Sequence, residues 1–302
     1  MPSPASPPPE PAPARLRVGV IGAGRVGTVL GAALARAGHR VVAASAVSDA
    51  SIRRAERLLP DAAIMPPDQV LAAADLVLLT VPDDMLPGLV GGLATTGAPL
   101  AGRLLAHASG RHGIGVLAPA IEQGALPLAL HPVMTFTGRP DDLDRLDGIS
   151  FGVTAPEALR SAAEALVIEM GGEPVFIEEA SRSLYHAALA SGANHLITLV
   201  VQAAELLGVA GVANPSRMIG PLLSAALDNA LRLGDAGLTG PVARADADTV
   251  AGHIEALREV SPEALRAYVA LARLTADRAL AAGILTPPAA QRLLDVLAGA
   301  PR

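Results

Sequence analysis

Two histidines and one asparagine are the residues best suited to move a proton or to hold a polar substrate atom. His186 and Asn194 are eight residues apart in an apolar segment, so on a helix they lie along one stripe. His131 ends a different apolar segment. Imidazole has an ordinary pKa close to neutrality, which suits general acid or base catalysis. We predict His186 as the acid or base, Asn194 as a hydrogen-bond donor to the substrate and His131 as a second catalytic candidate. Either histidine could instead order the chain by bonding backbone groups.

A glycine-rich segment near the start of the chain indicates a phosphate-binding site. It lies between an apolar, β-like run and a helical pattern. In such a segment one glycine permits the turn, a second lets backbone approach a pyrophosphate, and a third lets helix and strand pack closely. The helix that begins there presents N–H groups and the positive end of its dipole to the phosphates. The predicted dinucleotide-binding residues are Gly22, Gly24, Arg25, Val26 and Gly27.

The end of the second predicted strand indicates which nicotinamide cofactor binds. Enzymes that use NAD usually have Asp or Glu there, whereas this chain has Ser45 and Ser48, with Arg53 and Arg54 following. Hydroxyl and guanidinium groups can bind a 2′-phosphate by donating hydrogen bonds to it. We therefore predict NADP, with Ser45, Ser48 and Arg53 among its ligands. Asp49 could supply the missing acid and favour NAD. The two arginines could also be the solvated face of a helix.

Further candidate residues follow other predicted strands or lie in a later loop. Val81 and Pro82 end a buried strand and could form the floor of the cofactor site, while Ser109 could line a nicotinamide pocket. Thr239 and Arg244 lie in a loop of the C-terminal part, where they could hold a substrate carboxylate. The histidines lack the close spacing of a metal site, so we predict no metal ligands.

The composition excludes several kinds of chemistry and of partner. There is no cysteine, which rules out disulfides and thiolate nucleophiles, and all 23 basic residues are arginine, so no lysine can act. A net charge of -6 argues against nucleic acid. The longest apolar run, residues 184–211, is interrupted by polar side chains and predicts a buried helix rather than a membrane span. We expect a cytoplasmic protein with a small-molecule substrate that binds neither nucleic acid nor membrane.

The elements that must position these residues fall into two domains. Residues 1–15 are rich in proline and predict a disordered tail. Residues 16–179 alternate short apolar strands with helices, which predicts an α/β Rossmann domain with a doubly wound, mainly parallel sheet. Residues 180–302 show only helical periodicity and predict an all-α domain. Ligands of open α/β sheets bind at the carboxyl ends of the strands, where Val81, Ser109 and His131 are expected.

Five segments carry a family resemblance: residues 75–84 (DLVLLTVPDD), 107–110 (HASG), 131–136 (HPVMTF), 185–194 (YHAALASGAN) and 238–246 (LTGPVARAD). With the glycine-rich turn, they resemble the superfamily of 6-phosphogluconate, ketopantoate and pyrroline-5-carboxylate reductases and dehydrogenases. The chain is most similar to a branch of Rossmann-like NADP oxidoreductases whose helical C-terminal domain has no assigned function. The resemblance implies a nicotinamide cofactor and homodimers formed through the helical domain. One departure is that the sugar-acid and ketopantoate enzymes have a catalytic lysine four residues before the asparagine, where this chain has Ala190.

Three functions remain open at this point. The first is an NADP-dependent oxidoreductase that transfers hydride to or from a small oxo or imino acid, of the ketopantoate or a similar 2-oxo acid type. The second is a prephenate- or arogenate-like dehydrogenase, because His131 and Pro132 resemble the His-Pro turn of prephenate dehydrogenases. The third is a dinucleotide-binding sensor or scaffold without turnover, which the missing lysine and the uncertain roles of the histidines leave open.

Overall fold

The computed structural model of the protein describes residues 15–300. The predicted disordered tail, residues 1–15, lies outside this range except for Arg15. Within it, eight strands form one sheet in the order β3-β2-β1-β4-β5-β6-β7-β8. The strands are β1 (Arg17–Ile21), β2 (Arg40–Ser45), β3 (Ala63–Ile64), β4 (Leu76–Leu79), β5 (Leu104–His107), β6 (Leu126–Pro132), β7 (Ser150–Thr154) and β8 (Glu173–Phe176).

The sheet is parallel from β3 to β6, and β7 is antiparallel to β6. Its first six positions have the strand order of a dinucleotide-binding Rossmann sheet. The carboxyl ends of β1, β4, β5 and β6 therefore meet at one edge. The predicted Rossmann fold with a mainly parallel sheet is confirmed.

Thirteen α-helices complete the described range. They are α1 (Arg25–Arg36), α2 (Asp49–Leu58), α3 (Pro67–Ala73), α4 (Leu86–Thr95), α5 (Ala118–Ile121), α6 (Asp141–Asp144), α7 (Arg160–Glu169), α8 (Arg182–Val209), α9 (Pro215–Leu233), α10 (Gly240–Ala243), α11 (Ala247–Val260), α12 (Pro262–Ala281) and α13 (Pro287–Ala298). No strand follows β8 in the described residues, so the predicted helical C-terminal region is confirmed.

The central strands are buried on both faces, which explains their continuous apolar sequences. In β4, Leu76 and Leu78 pack with α1 and α7 in one core, whereas Val77 and Leu79 pack with α3 and α4 in another. Successive strand residues point to opposite faces, so a run of four apolar residues supplies both layers.

The chain divides into two compact units, of which the first ends at Gly192 and the second begins at Ala193. This division lies inside α8. The predicted domain boundary between residues 179 and 180 stays a prediction. In the second unit a separate core includes Val250, Ile254 and Leu293.

A buried carboxylate fixes the connection from β6 to β7. Asp142 accepts the backbone N–H groups of Thr137 and Gly138 at 2.7 Å each, and the hydroxyl of Thr137 at 3.1 Å. Burial alone would raise the pKa of Asp142, but these hydrogen bonds outweigh burial and the pKa is lowered. The connection is thereby held beside α2, where Arg57 donates to the Gly138 carbonyl oxygen at 3.0 Å.

The long helix α8 departs from the sequence-based expectation of a buried helix. Leu184 is 76% exposed and Ile197 is 62% exposed in the single chain. The segment Glu179–Val209 is also the one described helix that is long and apolar enough to cross a membrane, a test that core helices of soluble proteins pass as well. The expectation of burial is wrong for the single chain, because an apolar composition does not specify which surface covers a helix.

Candidate active site

The turn after β1 lies directly against the end of β4. Gly22 has φ of +92°, and a Cβ atom there would lie 2.8–2.9 Å from backbone atoms of Thr80 and Val81. A Cβ atom at Gly27 would overlap the Thr80 hydroxyl and the Gly22 carbonyl oxygen. The Thr80 hydroxyl donates to that same carbonyl at 2.8 Å. Glycine is therefore required at both positions, at Gly22 for the turn and at Gly27 for the packing of α1.

A cavity of about 740 Å³ opens beside this turn. Six predicted cofactor-binding residues line it: Gly22, Gly24, Ser45, Ser48, Val81 and Pro82. A Cβ atom at Gly24 would meet nothing closer than 3.8 Å, so the backbone there is open to the cavity. Backbone amides at the start of a helix, next to an uncrowded glycine, fit the pyrophosphate of a dinucleotide.

Ser45 and Ser48, the two serines predicted to bind the cofactor, lie at and after the end of β2, and each also forms structural hydrogen bonds. The Ser45 carbonyl oxygen accepts the N–H groups of Gly22 and Ala23 at 3.2 and 2.8 Å, which ties the glycine turn to β2. The Ser48 hydroxyl caps α2 by accepting the Ser51 N–H at 3.2 Å. Each serine thus shapes the cavity wall in addition to lining it.

Arg25 and Arg54 both approach Gly138 in the β6–β7 connection, and neither lines the cavity. A Cβ atom at Gly138 would lie 2.6 Å from Arg54 Nε and 3.0 Å from Arg25 Cγ, so both side chains pack on the β6–β7 connection. Neither arginine forms an ion pair with any residue in the range 15–300. Arg53 is exposed on α2. Arg25, Val26, Gly27 and Arg53 do not line the cavity itself.

A second cluster lies at the ends of β5 and β6. His131 Nδ1 is 2.8 Å from the hydroxyl of Tyr185, which is in the first turn of α8. The ring of His186 is 6.2 Å from that of His131, centroid to centroid. A Cβ atom at Gly110 would lie 2.6 Å from His186 Cδ2 and 2.9 Å from His131 Nε2. The two predicted histidines are therefore brought together, with Tyr185 as a third member.

Sequence reasoning did not select Tyr185. The available signal was that the chain has only two tyrosines, one of them beside His186. The hydrogen bond depends on the position of α8 over β6 and β7, which the sequence pattern does not give.

The surroundings set the protonation state of this cluster. Burial, followed by the charges of Arg182 and His186, lowers the pKa of His131 to about 4, and Asp83 opposes the shift. Burial raises the pKa of Tyr185, while Arg182 acts in the opposite direction. At neutral pH His131 is uncharged and Tyr185 is protonated, so Tyr185 keeps a hydroxyl proton that it can donate.

His107 orders a loop rather than joining this cluster. Its Nε2 donates to the Gly113 carbonyl oxygen at 2.9 Å, and its Nδ1 accepts the Ser109 N–H at 3.2 Å. Ser109 is buried, and its hydroxyl accepts the His112 N–H at 3.2 Å. His112 in turn bonds the Asp83 carbonyl oxygen at 3.3 Å. This contact connects the loop after β5 to the loop after β4 that lines the cavity.

The remaining predicted residues belong to the second unit. Asn194 is exposed on α8, and Arg244 is exposed after α10. Thr239 lines a cavity of about 420 Å³ within the helical unit, together with His253 and Tyr268, which are hydrogen-bonded at 2.9 Å. The roles of Asn194, Thr239 and Arg244 stay predictions.

Two protein families match the chain. Residues 3–132 match the Rossmann-like domain family, and residues 149–275 match the family described as Domain of unknown function (DUF2520). The resemblance inferred from the sequence motifs is confirmed. No curated protein matches the chain in sequence.

Solved structures with the same fold come from several organisms. A candidate NADP oxidoreductase from Bacteroides fragilis has a TM-score of 0.72 at 22% identity, over 87% of this chain and 98% of its own. An imine reductase from Pseudomonas sp. has a TM-score of 0.64 at 20% identity, over 94% and 100% of the two chains. A reductive aminase from Aspergillus terreus has a TM-score of 0.63 at 22% identity, over 89% and 95%. At these identities the similarity establishes the fold.

The contact of Gly110 with both histidine rings can be tested by adding one methyl group. Gly110→Ala is expected to lower the free energy of unfolding by roughly 1–3 kcal/mol, because a methyl group is forced into packed rings. Gly92→Ala is the matched control: it lies in α4, where a Cβ atom meets nothing within 4 Å, and is expected to gain roughly 0.5–1 kcal/mol. Urea unfolding measures both. Equal stabilities of the two variants would contradict the crowding at Gly110.

Proposed function

Because the chain joins a Rossmann-like domain to a DUF2520 domain, we propose that it is an NADP-dependent oxidoreductase that reduces the C=N or C=O bond of a small imino or oxo acid. The observation that carries this proposal is the Tyr185–His131 hydrogen bond, at the same sheet edge as the glycine-lined cavity. The names of structurally similar proteins support it: an imine reductase, a reductive aminase in complex with NADPH, and a Plasmodium falciparum pyrroline carboxylate reductase with NADP bound.

The first unit supplies the groups to hold the cofactor. The pyrophosphate would lie against the backbone of Gly22 to Gly24 and the start of α1. The 2′-phosphate would be bound near Ser45 and Ser48, by Arg25 and Arg54. Ser51 lines the cavity, and Arg54 is three residues further along the same helix, which places both on one face of α2. The bound cofactor supplies the hydride for the substrate carbon.

The chain's own side chains supply the proton. Tyr185 is proposed to give its hydroxyl proton to the substrate nitrogen or oxygen. His131 then passes its Nδ1 proton to the tyrosine oxygen, while its Nε2 takes up a proton from solvent. The imidazole is neutral before and after this exchange. Asn194, Thr239 and Arg244 remain the proposed contacts to the substrate's polar groups.

The partner proposed for α8 and α9 is a second copy of the chain. Leu184 and Ile197 are exposed on α8, and on α9 Leu222 is 68% and Leu231 79% exposed. None of the nineteen residues of α9 is buried in the single chain. Apolar surface of this extent is typical of oligomer interfaces. A homodimer through these helices would cover an apolar α8 in a soluble, cytoplasmic protein.

The reaction and the proton donor can be tested together. Wild-type protein is expected to bind NADPH and to oxidise it with a member of a panel of 2-oxo acids, cyclic imines and prephenate, followed by nicotinamide absorbance. Tyr185→Phe should lower kcat by roughly 10²–10⁴-fold, because a positioned proton donor is lost, with unchanged NADPH affinity. Thr95→Val, which removes a hydroxyl bonded to the Gly92 carbonyl at the end of α4, serves as control.

The possible outcomes separate the alternatives. Wild-type kcat in Tyr185→Phe would reject the proton route. Turnover of prephenate alone would favour the second function that the sequence left open. NADPH binding without consumption by any substrate would indicate a sensor or scaffold. No binding of either nicotinamide nucleotide would reject the proposal as a whole.

Adjacent arginines on α2 allow a matched test of cofactor choice. Arg54→Ala and Arg25→Ala are each expected to raise the Kd for NADPH roughly tenfold, because a charge-assisted hydrogen bond to the 2′-phosphate is lost. The Kd for NADH should not change. Arg53→Ala is expected to leave both constants within about twofold, since Arg53 is exposed on α2. Calorimetric titration of each variant with NADPH and with NADH measures these dissociation constants. A loss confined to Arg53→Ala would identify Arg53 as the ligand, and tighter binding of NADH than NADPH would favour Asp49.

The oligomer can be tested by placing a charge in its proposed interface. Ile197→Glu on α8 and Leu222→Glu on α9 are expected to convert dimers to monomers in light scattering, because a buried unpaired carboxylate is costly. Leu274→Glu, at an exposed leucine of α12, is the control. A monomeric wild type, or dimers that persist in both interface variants, would contradict the proposal.

A further inference from the structure

Among the described residues one arginine is buried, and it lies in the same turn of α8 as Tyr185. Arg182 is 1% exposed and is the first residue of α8. Its Nε donates to the Thr154 hydroxyl at 2.8 Å, and its Nη2 donates to the carbonyl oxygens of Gly152 at 2.9 Å and Ala129 at 3.2 Å. Nη1 lies 3.5 Å from the Ser109 carbonyl oxygen.

Among the described residues no carboxylate is within ion-pair distance of Arg182, and the charge of Glu179 acts on its pKa from further away. A buried charge that is satisfied only by neutral oxygens is expensive compared with an apolar side chain of similar size. Stability alone therefore gives a weak reason for arginine at this position. Its acceptors belong to β6, β7 and the loop after β5, the elements that surround His131.

We propose that Arg182 positions the Tyr185–His131 pair by fastening the first turn of α8 to the ends of β6 and β7. As a statement about catalysis, this rests on the function proposed above. Arg182 itself is a positioning residue, because it acts through the pair.

Gly152 connects Arg182 to the Tyr185–His131 pair. Gly152 is the strand partner of His131 in the antiparallel register, and its carbonyl oxygen is bound by Arg182. A Cβ atom at Gly152 would overlap the Tyr185 hydroxyl. The Arg182 guanidinium also lies 5.6 Å from the centre of the Tyr185 ring, three residues along the helix. Gly152 thus contacts Arg182, His131 and Tyr185, so it relates the position of the arginine to that of the pair.

The charge of Arg182 has a second consequence for His131. The groups that influence His131 are Arg182, Tyr185 and His186 on α8, and Asp83 in the loop after β4. The guanidinium disfavours a charged imidazole, whereas Asp83 favours one. A guanidinium cannot lose its proton in a protein, so this influence persists across the working pH range.

The test measures His131 directly, in the full-length protein, by NMR titration of its imidazole. In Arg182→Met the pKa of His131 is expected to rise by about 1, because a like charge is removed. In Arg182→Lys the charge remains but the forked hydrogen bonds are lost, so the pKa should stay low. Arg160→Met is the control, since Arg160 stacks on Phe176 and does not contact the pair.

Turnover supplies the second measurement. Both Arg182 variants are expected to lower kcat at least tenfold with little change in KM, and only Arg182→Met should shift the pH profile. A purely structural role would lower stability without moving the pKa of His131 or the pH profile. If Arg182→Met does not fold, Arg182→Gln replaces it.

An unchanged pKa of His131 together with an unchanged kcat would overturn the proposal. The NMR result does not need a substrate. It therefore decides whether the charge of Arg182 acts on His131 even if the proposed reaction fails, whereas kcat in Arg182→Lys tests the positioning hydrogen bonds.

Discussion

The close approach of the β1 turn to the end of β4 is the constraint on which the site depends. Without side chains at Gly22 and Gly27, the Thr80 hydroxyl can reach the Gly22 carbonyl oxygen, and α1 can begin at the sheet edge. That approach fixes where the amide groups of α1 point and where the loop after β4 begins. The same loop carries Asp83, whose carbonyl oxygen contacts His112 after β5. The absence of side chains at Gly22 and Gly27 thus determines where the cavity lies and where the loop after β4 contacts the loop after β5.

The sequence predicted the parts of this arrangement that depend on local rules. Continuous apolar runs such as residues 76–79 indicate strands buried on both faces, and the glycine spacing indicates the phosphate turn. These rules need only neighbouring residues. For the same reason the sequence predicts Gly22, Gly24, Ser45 and Pro82 as residues of one cofactor site, and all four line the same cavity.

The parts that were not predicted depend on how distant elements meet. The contact between Arg54 and Gly138 joins positions more than eighty residues apart, and it depends on which face of α2 lies against the β6–β7 connection. Tyr185 was overlooked because its partner is on β6 and its crowding comes from Gly152 on β7. The exposure of α8 depends on what covers an apolar helix, and composition contains no information about that.

His131 shows that residue type alone does not give the pKa of a side chain in the folded protein. An ordinary histidine titrates near neutrality, which is why His131 and His186 attract attention in the sequence. Burial and the charge of Arg182 lower the pKa of His131 to about 4, and burial raises that of Tyr185. Both groups are neutral at physiological pH, so the tyrosine keeps its hydroxyl proton and the histidine carries no charge.

The absence of lysine limits which side chains could donate a proton, and this makes the Tyr185–His131 pair important. Every basic side chain apart from histidine is arginine, whose guanidinium keeps its proton under all working conditions. Arginine can fasten backbone carbonyls, as Arg182 does, or bind phosphate, but it cannot donate a proton in a reaction. A reductase built from this composition must take its proton from a tyrosine, a histidine, a carboxylic acid or water. Of these, Tyr185 and His131 are hydrogen-bonded to each other at the edge where the strands end. The proposed proton route therefore rests on the absence of lysine as well as on the Tyr185–His131 hydrogen bond.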